Sequence, residues 1–172
     1  MKRLTPHRLI EGTFGVLIIA LLLTVVVFQT GLLPVSTGTY EERDLRMTDC
    51  NETTRGMLTV DVASSFSQQY IGLSRTESLP RDEGMLFPGE NEREIRIEMR
   101  NMNYDLDIIF VDSNGRITSI KTGNAPQNTV EYYLTYESVT GEGQHVIETN
   151  KGWTDRNNVG EGDCVEGIIQ SA

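Results

Sequence analysis

Two acidic side chains in the last third of the chain are candidates for acid–base chemistry. Glu148 stands in an alternating apolar and polar stretch at residues 145–149, and Asp163 follows a glycine-rich turn. A pair of positioned carboxylates can act as a general acid and a general base. The structural interpretation is that Glu148 meets an arginine and that Asp163 supports the turn. We favour the structural interpretation and assign no catalytic residue.

A second group of polar side chains lies near the centre of the chain. Arg100 and Asn101 end a stretch in which apolar and charged residues alternate from residue 95, and Asp107 lies at the start of an apolar stretch. These patterns predict two neighbouring strands. With a connection over residues 102–106, an antiparallel register pairs Asn101 with Asp107. Either the pair binds a ligand, or Asp107 accepts backbone N–H bonds and fixes the loop.

The two cysteines, Cys50 and Cys164, stand before the first predicted strand and at the start of the last one. Outside the cytoplasm, two such thiols are open to oxidation. Either the two cysteines form one disulfide, or they are two unrelated free thiols. The sequence leaves both interpretations open. Asn51 begins an N-x-T sequon and is therefore a candidate glycosylation site.

Metal and cofactor sites are not predicted. The histidines are His7 and His145, and neither has another ligand at the spacing that zinc sites use. His145 lies in an alternating stretch, which predicts a surface or edge histidine. Residues 112–115 (DSNG) resemble the start of a calcium loop but lack its third acid and distant glutamate, so we predict a hairpin turn there.

The first 34 residues predict a membrane anchor. Three basic residues among the first eight precede an almost wholly apolar stretch at residues 14–33. About twenty helical residues span the roughly 30 Å hydrocarbon core of a bilayer. We therefore predict a cytoplasmic tail at residues 1–11 and a single transmembrane helix at residues 12–34, with the rest of the chain outside. A cleavable signal peptide is the alternative, but no small-residue cleavage site follows the apolar stretch.

The part of the chain after this stretch is strongly acidic. Residues 41–172 hold 24 acidic and 12 basic side chains, and the whole chain has only three lysines. This charge disfavours nucleic-acid binding. Because the acids are spread along the chain, we interpret them as a surface that stays soluble in high salt, as in halophiles.

Residues 35–56 have no apolar period and predict a polar stalk, which leaves residues 57–172 as an extracytoplasmic domain. Ser65 and Gln68 fit a capping box before a short helix, and residues 152–158 predict a short helix or a wide loop. Strands are predicted at residues 57–63, 84–87, 95–101, 106–111, 116–121, 130–139, 145–149 and 164–169. The fold class is mainly β: a small antiparallel β-sandwich or barrel with one or two short helices, preceded by the transmembrane helix.

Several motifs occur in a fixed order along this domain. They are Gly72-Leu73-Ser74-Arg75, Gly84-Met85-Leu86-Phe87, Met99-Arg100-Asn101, LDIIFVD at residues 106–112, Gly115-Arg116-Ile117, His145-Val146-Ile147-Glu148 and Gly162-Asp163. The ordered set covers roughly residues 57–169 and resembles the family called domain of unknown function 192. The resemblance implies a compact, mainly β domain, often secreted or membrane-anchored, with no established activity. Together with the acidic composition, it indicates a halophilic archaeon.

The chain departs from the usual pattern of that family at a few positions. The family usually has tryptophan where Glu98 stands, threonine where Met102 stands, proline where Asp105 stands and methionine where Ser74 stands. A pocket that the tryptophan and threonine line in relatives would be altered here.

The sequence therefore favours a membrane-anchored domain that binds a small ligand or an envelope partner without catalysis and without a cofactor. The ligand-binding candidates are Arg100, Asn101, Asp107, Glu148 and Asp163. No recognisable nucleophile motif is present. The alternative is an envelope hydrolase that depends on carboxylates.

Overall fold

The computed structural model describes residues 38–128 and 138–168. Within these ranges the elements are β1 (Glu41–Thr48), β2 (Thr54–Val62), α1 (Phe66–Ile71), β3 (Glu83–Phe87), β4 (Arg93–Ile97), β5 (Leu106–Val111), β6 (Ile117–Gly123), β7 (Val139–Gly143), β8 (His145–Asn150), α2 (Trp153–Asn157) and β9 (Cys164–Glu166). The prediction of a mainly β domain with one or two short helices is confirmed. The predicted tail and anchor at residues 1–34, and almost all of the predicted strand at residues 130–139, lie outside the described residues. Neither helix of the described ranges is long and apolar enough to cross a membrane.

Seven strands form one curled sheet in the order β6-β5-β8-β3-β2-β1-β9. Its two ends meet, because the Ile117 N–H donates to the Asp163 carbonyl at 2.8 Å and the Val165 N–H donates to the Gly115 carbonyl at 2.7 Å. The sheet therefore closes on itself, as in the barrel alternative. One prediction is corrected: β2 and β3 are parallel. A parallel pair needs a crossover connection, and the segment that contains α1 provides it.

The stalk prediction for residues 35–56 is wrong over residues 54–56, which begin β2. It is also wrong over residues 41–48. These residues form β1, which pairs antiparallel with β2. The strand is hard to recognise because only its second half carries buried apolar side chains, Leu45 and Met47, both with 0% exposure. Its first half is charged, so the alternation is too short to stand out from a polar loop.

A disulfide joins Cys50 to Cys164, with a Cα–Cα distance of 5.1 Å. Of the two interpretations that the sequence left open, the bonded one is therefore found. The bond links the segment after β1 to the first residue of β9, and these two strands pair antiparallel over Arg46–Thr48. The bond therefore stabilises β9, the strand at which the sheet closes.

The predicted pairing of residues 95–101 with residues 106–111 is wrong. β4 ends at Ile97 and pairs with β7 in a separate two-stranded sheet, whereas β5 lies between β6 and β8. The intervening segment turns away from the sheet, because Asn101 has a left-handed φ of 60° and the Met102 N–H bonds the Met99 carbonyl at 3.2 Å. The predicted contact between Asn101 and Asp107 therefore does not form.

Two local predictions are confirmed. Ser65 and Gln68 form the capping box of α1. At the β5–β6 hairpin, the Asp112 carboxylate accepts the Asn114 and Arg116 N–H groups, both at 2.8 Å, so the DSNG segment is a turn. Gly115 has a φ of 80°, and a Cβ there would lie 2.8 Å from the Val165 carbonyl oxygen. Only glycine allows β9 to approach the turn this closely.

The buried apolar side chains form two clusters on opposite faces of the sheet. The barrel core draws on all seven strands and therefore fills the concave side; it consists of Leu45, Met47, Leu58, Val60, Val62, Leu86, Ile109, Val111, Ile117, Ile147, Trp153, Val159, Val165 and Ile168. The second core lies on the outer face of β3, β8 and β5, beneath β4 and the segments that follow α1 and β4; it consists of Ala63, Leu73, Met85, Ile95, Met99, Met102, Leu106, Ile108, Phe110 and Val146. All six residues of β5 are buried because this strand contributes to both cores.

Candidate functional site

Asp107 holds the N-terminal end of α2 in place. It faces the barrel core from β5, and its carboxylate accepts the Gly152 N–H at 3.0 Å, the Thr154 N–H at 3.0 Å and the Thr154 hydroxyl at 2.7 Å. Gly152 has no side chain to cap the helix, so an acid from another strand performs that task. All three bonds are made within the protein, which supports the structural interpretation of Asp107 over a ligand site.

Asp163 is also occupied by protein groups. Its carboxylate accepts the Gly160 N–H at 2.8 Å and lies 3.0 Å from the Arg55 guanidinium. Its backbone takes part in the closure of the sheet through Ile117. The predicted support of a glycine turn is therefore what this residue provides.

Arg100 and Asn101 lie at the surface of the segment between β4 and β5. The Arg100 guanidinium donates to the Tyr70 hydroxyl at 2.7 Å, and its carbon lies 4.4 Å from the centre of the Tyr70 ring. This contact joins the segment to α1. Asn101 is exposed.

Glu148 occupies a different environment. It lies on β8 opposite Met85 of β3 and Ile108 of β5, two members of the second core. Only 6% of the residue is exposed, and no hydrogen bond from a described residue reaches its carboxyl group. Burial raises the pKa of Glu148 from an ordinary 4.5 to about 8. The side chain is therefore a neutral carboxylic acid at pH 7, and the predicted arginine partner does not occur among the described residues.

Tyr104 is a second polar residue of this region, and its pKa responds to the charge of Glu148. It packs against the second core, and its buried hydroxyl has no hydrogen-bond partner within residues 38–128 and 138–168. Burial raises the pKa of Tyr104 most, and the charge that Glu148 acquires on ionisation raises it further. The Thr76 hydroxyl opposes part of this rise but is not placed to complete a hydrogen bond. Within the part of the chain that the structure describes, the Tyr104 hydroxyl therefore lacks a hydrogen-bond partner, and burial is what raises the pKa of Glu148.

The five predicted ligand-binding residues do not converge. Asp107 faces the barrel core, Glu148 faces the second core, and at least two strands separate β8 from the β9 segment that carries Asp163. Sequence reasoning missed Tyr104, because a lone tyrosine between two strands carries no spacing signal. His145 was predicted to be a surface or edge histidine, but only 6% of it is exposed. Its Nδ1 accepts the Gly89 N–H at 3.3 Å, and its Nε2 has no partner in the described ranges. Burial lowers the pKa of His145.

Metal binding finds no support in the part of the chain that the structure describes. No group of three or more histidine, cysteine, aspartate or glutamate side chains there could hold an ion. The glycosylation candidate Asn51 is exposed, in the turn that follows β1. Glycosylation of this residue stays a prediction.

Comparisons with known proteins identify relatives but no activity. The profile of the family DUF192, described as "Uncharacterized ACR", matches residues 48–167. A crystal structure from Sinorhizobium meliloti 1021, provisionally described as a transcription regulator, aligns with a TM-score of 0.66 and 28% identity and covers 77% of this chain and 98% of that one. A protein of unknown function from Novosphingobium aromaticivorans DSM 12444 aligns with a TM-score of 0.58 and 28% identity and covers 78% and 89%. No curated protein matches the chain significantly.

Proposed function

Because the chain belongs to the DUF192 family, which is described as uncharacterized, we propose a function from the chain's own site. The proposed function is that of a membrane-anchored domain outside the cytoplasm that binds a small uncharged ligand at Glu148 without catalysing a reaction. The observation that carries this proposal is the buried carboxyl group of Glu148 in the second core, whose pKa burial raises to about 8 and to which no described residue donates a hydrogen bond.

The chemistry of Glu148 defines the ligand class. A protonated carboxyl group offers one donor and an acceptor, and a buried polar group without a partner costs about 1 to 3 kcal/mol. A ligand with a carbonyl or hydroxyl group would satisfy Glu148, and a ligand long enough to reach the Tyr104 hydroxyl would gain a second hydrogen bond. The surrounding side chains, such as Met85 and Ile108, favour an apolar body. An anionic ligand is disfavoured because its charge would lose its hydration in the apolar second core.

Anchoring outside the cytoplasm is the second part of the proposal. The apolar segment at residues 12–34 supports it on sequence grounds. The Cys50–Cys164 disulfide supports it independently, because such bonds persist mainly in oxidising compartments. The acidic, lysine-poor composition further supports a domain adapted to high salt, as in a halophilic archaeon.

An envelope hydrolase remains the second candidate because one observation favours it. A carboxyl group with a pKa of about 8 retains the proton that a general acid needs at neutral pH. The predicted partner carboxylate, Asp163, is however bound to Gly160 and Arg55, and Asp107 is bound to the N-terminal end of α2. Neither Asp163 nor Asp107 is therefore available as a catalytic partner of Glu148.

The test uses the full chain and three probes with the same carbon skeleton: hexanamide, hexanol and hexanoate at pH 6. We expect the two uncharged probes to raise the melting temperature of the wild type and hexanoate to do so less. Glu148→Leu should abolish the effect. Glu83→Gln, which changes an exposed glutamate on the adjacent strand β3, is the matched control and should retain it.

Two results would contradict ligand binding at Glu148. One is equal stabilisation of the wild type and Glu148→Leu by the uncharged probes, and the other is no stabilisation of either. Cleavage of nitrophenyl glycosides by the wild type, lost in Glu148→Gln but not in Glu83→Gln, would favour the hydrolase instead.

A further inference from the structure

An exposed aromatic surface on α1 carries a preformed stack of side chains. Phe66 is 79% exposed, and its ring lies 6.3 Å from that of Tyr70 with an angle of 22° between the planes. The Arg100 guanidinium covers the Tyr70 ring at 4.4 Å and donates to its hydroxyl at 2.7 Å. We refer to Phe66, Tyr70 and Arg100 as the Phe66 face.

The Phe66 face lies close to the point where the chain enters the domain. The Gln68 side chain of α1 donates to the Thr39 carbonyl at 3.4 Å, and Tyr40 packs against the second core. Only four residues, 35–38, lie between the end of the predicted anchor at residue 34 and Thr39. The five Cα–Cα steps from residue 34 to Thr39 reach at most about 18 Å. If residues 12–34 span a bilayer, the chain length therefore allows Thr39, which bonds Gln68 of α1, to lie no farther than about 18 Å from the end of the span.

We propose that the Phe66 face contacts the phospholipid surface in which the chain's own N-terminal segment is anchored. This inference depends on the membrane anchoring proposed above but not on ligand binding at Glu148. Phe66 would enter the boundary between headgroups and acyl chains, where apolar side chains of peripheral helices are buried. Tyr70 suits the headgroup level, as tyrosines at membrane interfaces do. The Arg100 guanidinium would bind a lipid phosphate, for which its planar set of donors is well shaped.

The chain provides a matched control position at Met57. This residue is the other large apolar side chain with high exposure among the described residues, at 53%. It pairs with Arg46, which lies seven residues along the chain from Thr39 within β1. At about 3.3 Å per strand residue, Met57 lies roughly 20 Å farther from the tether. A lipid contact at Phe66 should therefore not extend to Met57.

The experiment measures tryptophan quenching by lipids brominated on their acyl chains. Full-length Phe66→Trp and Met57→Trp are incorporated into nanodiscs of phosphatidylcholine and phosphatidylglycerol, and the signal of Trp153, which is fully buried, is subtracted with the wild type. Both variants change exposed side chains, and their melting temperatures should match that of the wild type. We expect the fluorescence of Phe66→Trp to be quenched at least about twofold more strongly than that of Met57→Trp. Adding Arg100→Gln to Phe66→Trp should reduce this quenching.

The other outcomes separate the two proposals. A chain that elutes with the nanodiscs but shows no quenching at Phe66→Trp would overturn the lipid contact and leave the anchor in place. Equal quenching at both positions would also overturn it, because the contact would then have no preferred face. A chain that does not elute with the nanodiscs would overturn the anchor and, with it, the lipid contact.

Discussion

The barrel core and the second core each contain a buried carboxylic acid, and the two acids differ in the hydrogen bonds that they accept. Asp107 enters the barrel side of the sheet and accepts three hydrogen bonds from Gly152 and Thr154. Glu148, on the neighbouring strand and the opposite face, accepts none from a described residue, and its pKa rises to about 8. A buried acid that the scaffold satisfies is a structural element. A buried acid that the scaffold leaves unsatisfied lowers stability and is therefore the better candidate for function.

The largest effect is expected from the pH dependence that Glu148 imposes. The folded protein keeps the Glu148 proton up to about pH 8, whereas the unfolded chain releases it near the ordinary value of 4.5. The contribution of Glu148 to the free energy of unfolding should therefore be highest below pH 4.5 and fall as the pH rises toward 8, by on the order of 5 kcal/mol. Glu148→Gln should remove this loss and be more stable than the wild type at pH 9, as measured by urea unfolding.

A matched control separates Glu148 from the other acids. Glu83→Gln, on the exposed surface of β3, should leave the wild-type fall in stability between pH 4.5 and 8 in place. If Glu148→Gln and the wild type lose stability equally over that range, the second core does not hold a neutral acid, and the contrast with Asp107 fails.

Removal of the disulfide is the next largest change and concerns the barrel side alone. Cys50 and Cys164 are 114 residues apart in sequence, and closing so long a loop stabilises the fold by about 4 to 5 kcal/mol in the chain-entropy model. The double variant Cys50→Ala, Cys164→Ala should lose most of this amount in urea unfolding. The wild type under reducing conditions should match it. A variant as stable as the oxidised wild type would show that the sheet closes without help from the bond.

Asp107→Asn should cost about 3 kcal/mol, because the amide replaces one acceptor oxygen with a donor that faces the N–H and hydroxyl groups of the α2 end. Asp61→Asn, at an exposed position of β2, is the control and should be nearly neutral. The fraction of Asp107→Asn that is folded should nevertheless still bind hexanamide. Loss of binding in a stable Asp107→Asn protein would return this residue to the list of ligand-binding candidates.

The smallest effect is expected at the surface, where β1 meets β9. Arg46 and Glu166 form an ion pair with 43% of each side chain exposed. Exposed pairs contribute about 0 to 1 kcal/mol, because water and salt screen them. A double-mutant cycle with Arg46→Ala and Glu166→Ala should give a coupling energy in this range. A clearly larger value would mean that the pairing of β1 with β9 depends on surface charges as well as on the core.

Local chemistry could be predicted from the sequence, whereas long-range pairing could not. The Ser65 capping box and the turn at Asp112 depend on residues within four positions of each other, and both predictions are confirmed. The partner of β4 depends on the path of the chain through residues 98–105. The alternation of apolar and charged residues predicts a strand but not the strand with which it pairs. β1 was missed because the pairing with β2, not its own composition, makes it a strand.

The site could be predicted only in part. Glu148 and Asp107 were both recognised as candidates, but their patterns are alike: each is a single acid within an apolar strand. What distinguishes them is whether donors from another segment reach the carboxylate. The Gly152 and Thr154 donors are 45 and 47 residues from Asp107 along the chain. Tyr104 gained its importance in the same way, through the neighbours that the fold places around it.

The pKa of Glu148 in the folded protein decides whether the second core holds a neutral acid at pH 7. The carboxyl carbon resonance of this residue, followed by NMR as a function of pH and assigned by its loss in Glu148→Gln, reports the pKa of the group in the folded protein. We expect a titration centred near pH 8, which hexanamide should shift and which Glu83→Gln should leave unchanged. A titration near the ordinary value of 4.5 would mean that Glu148 is ionised and solvated at neutral pH, and would contradict both the neutral acid and the proposed ligand site.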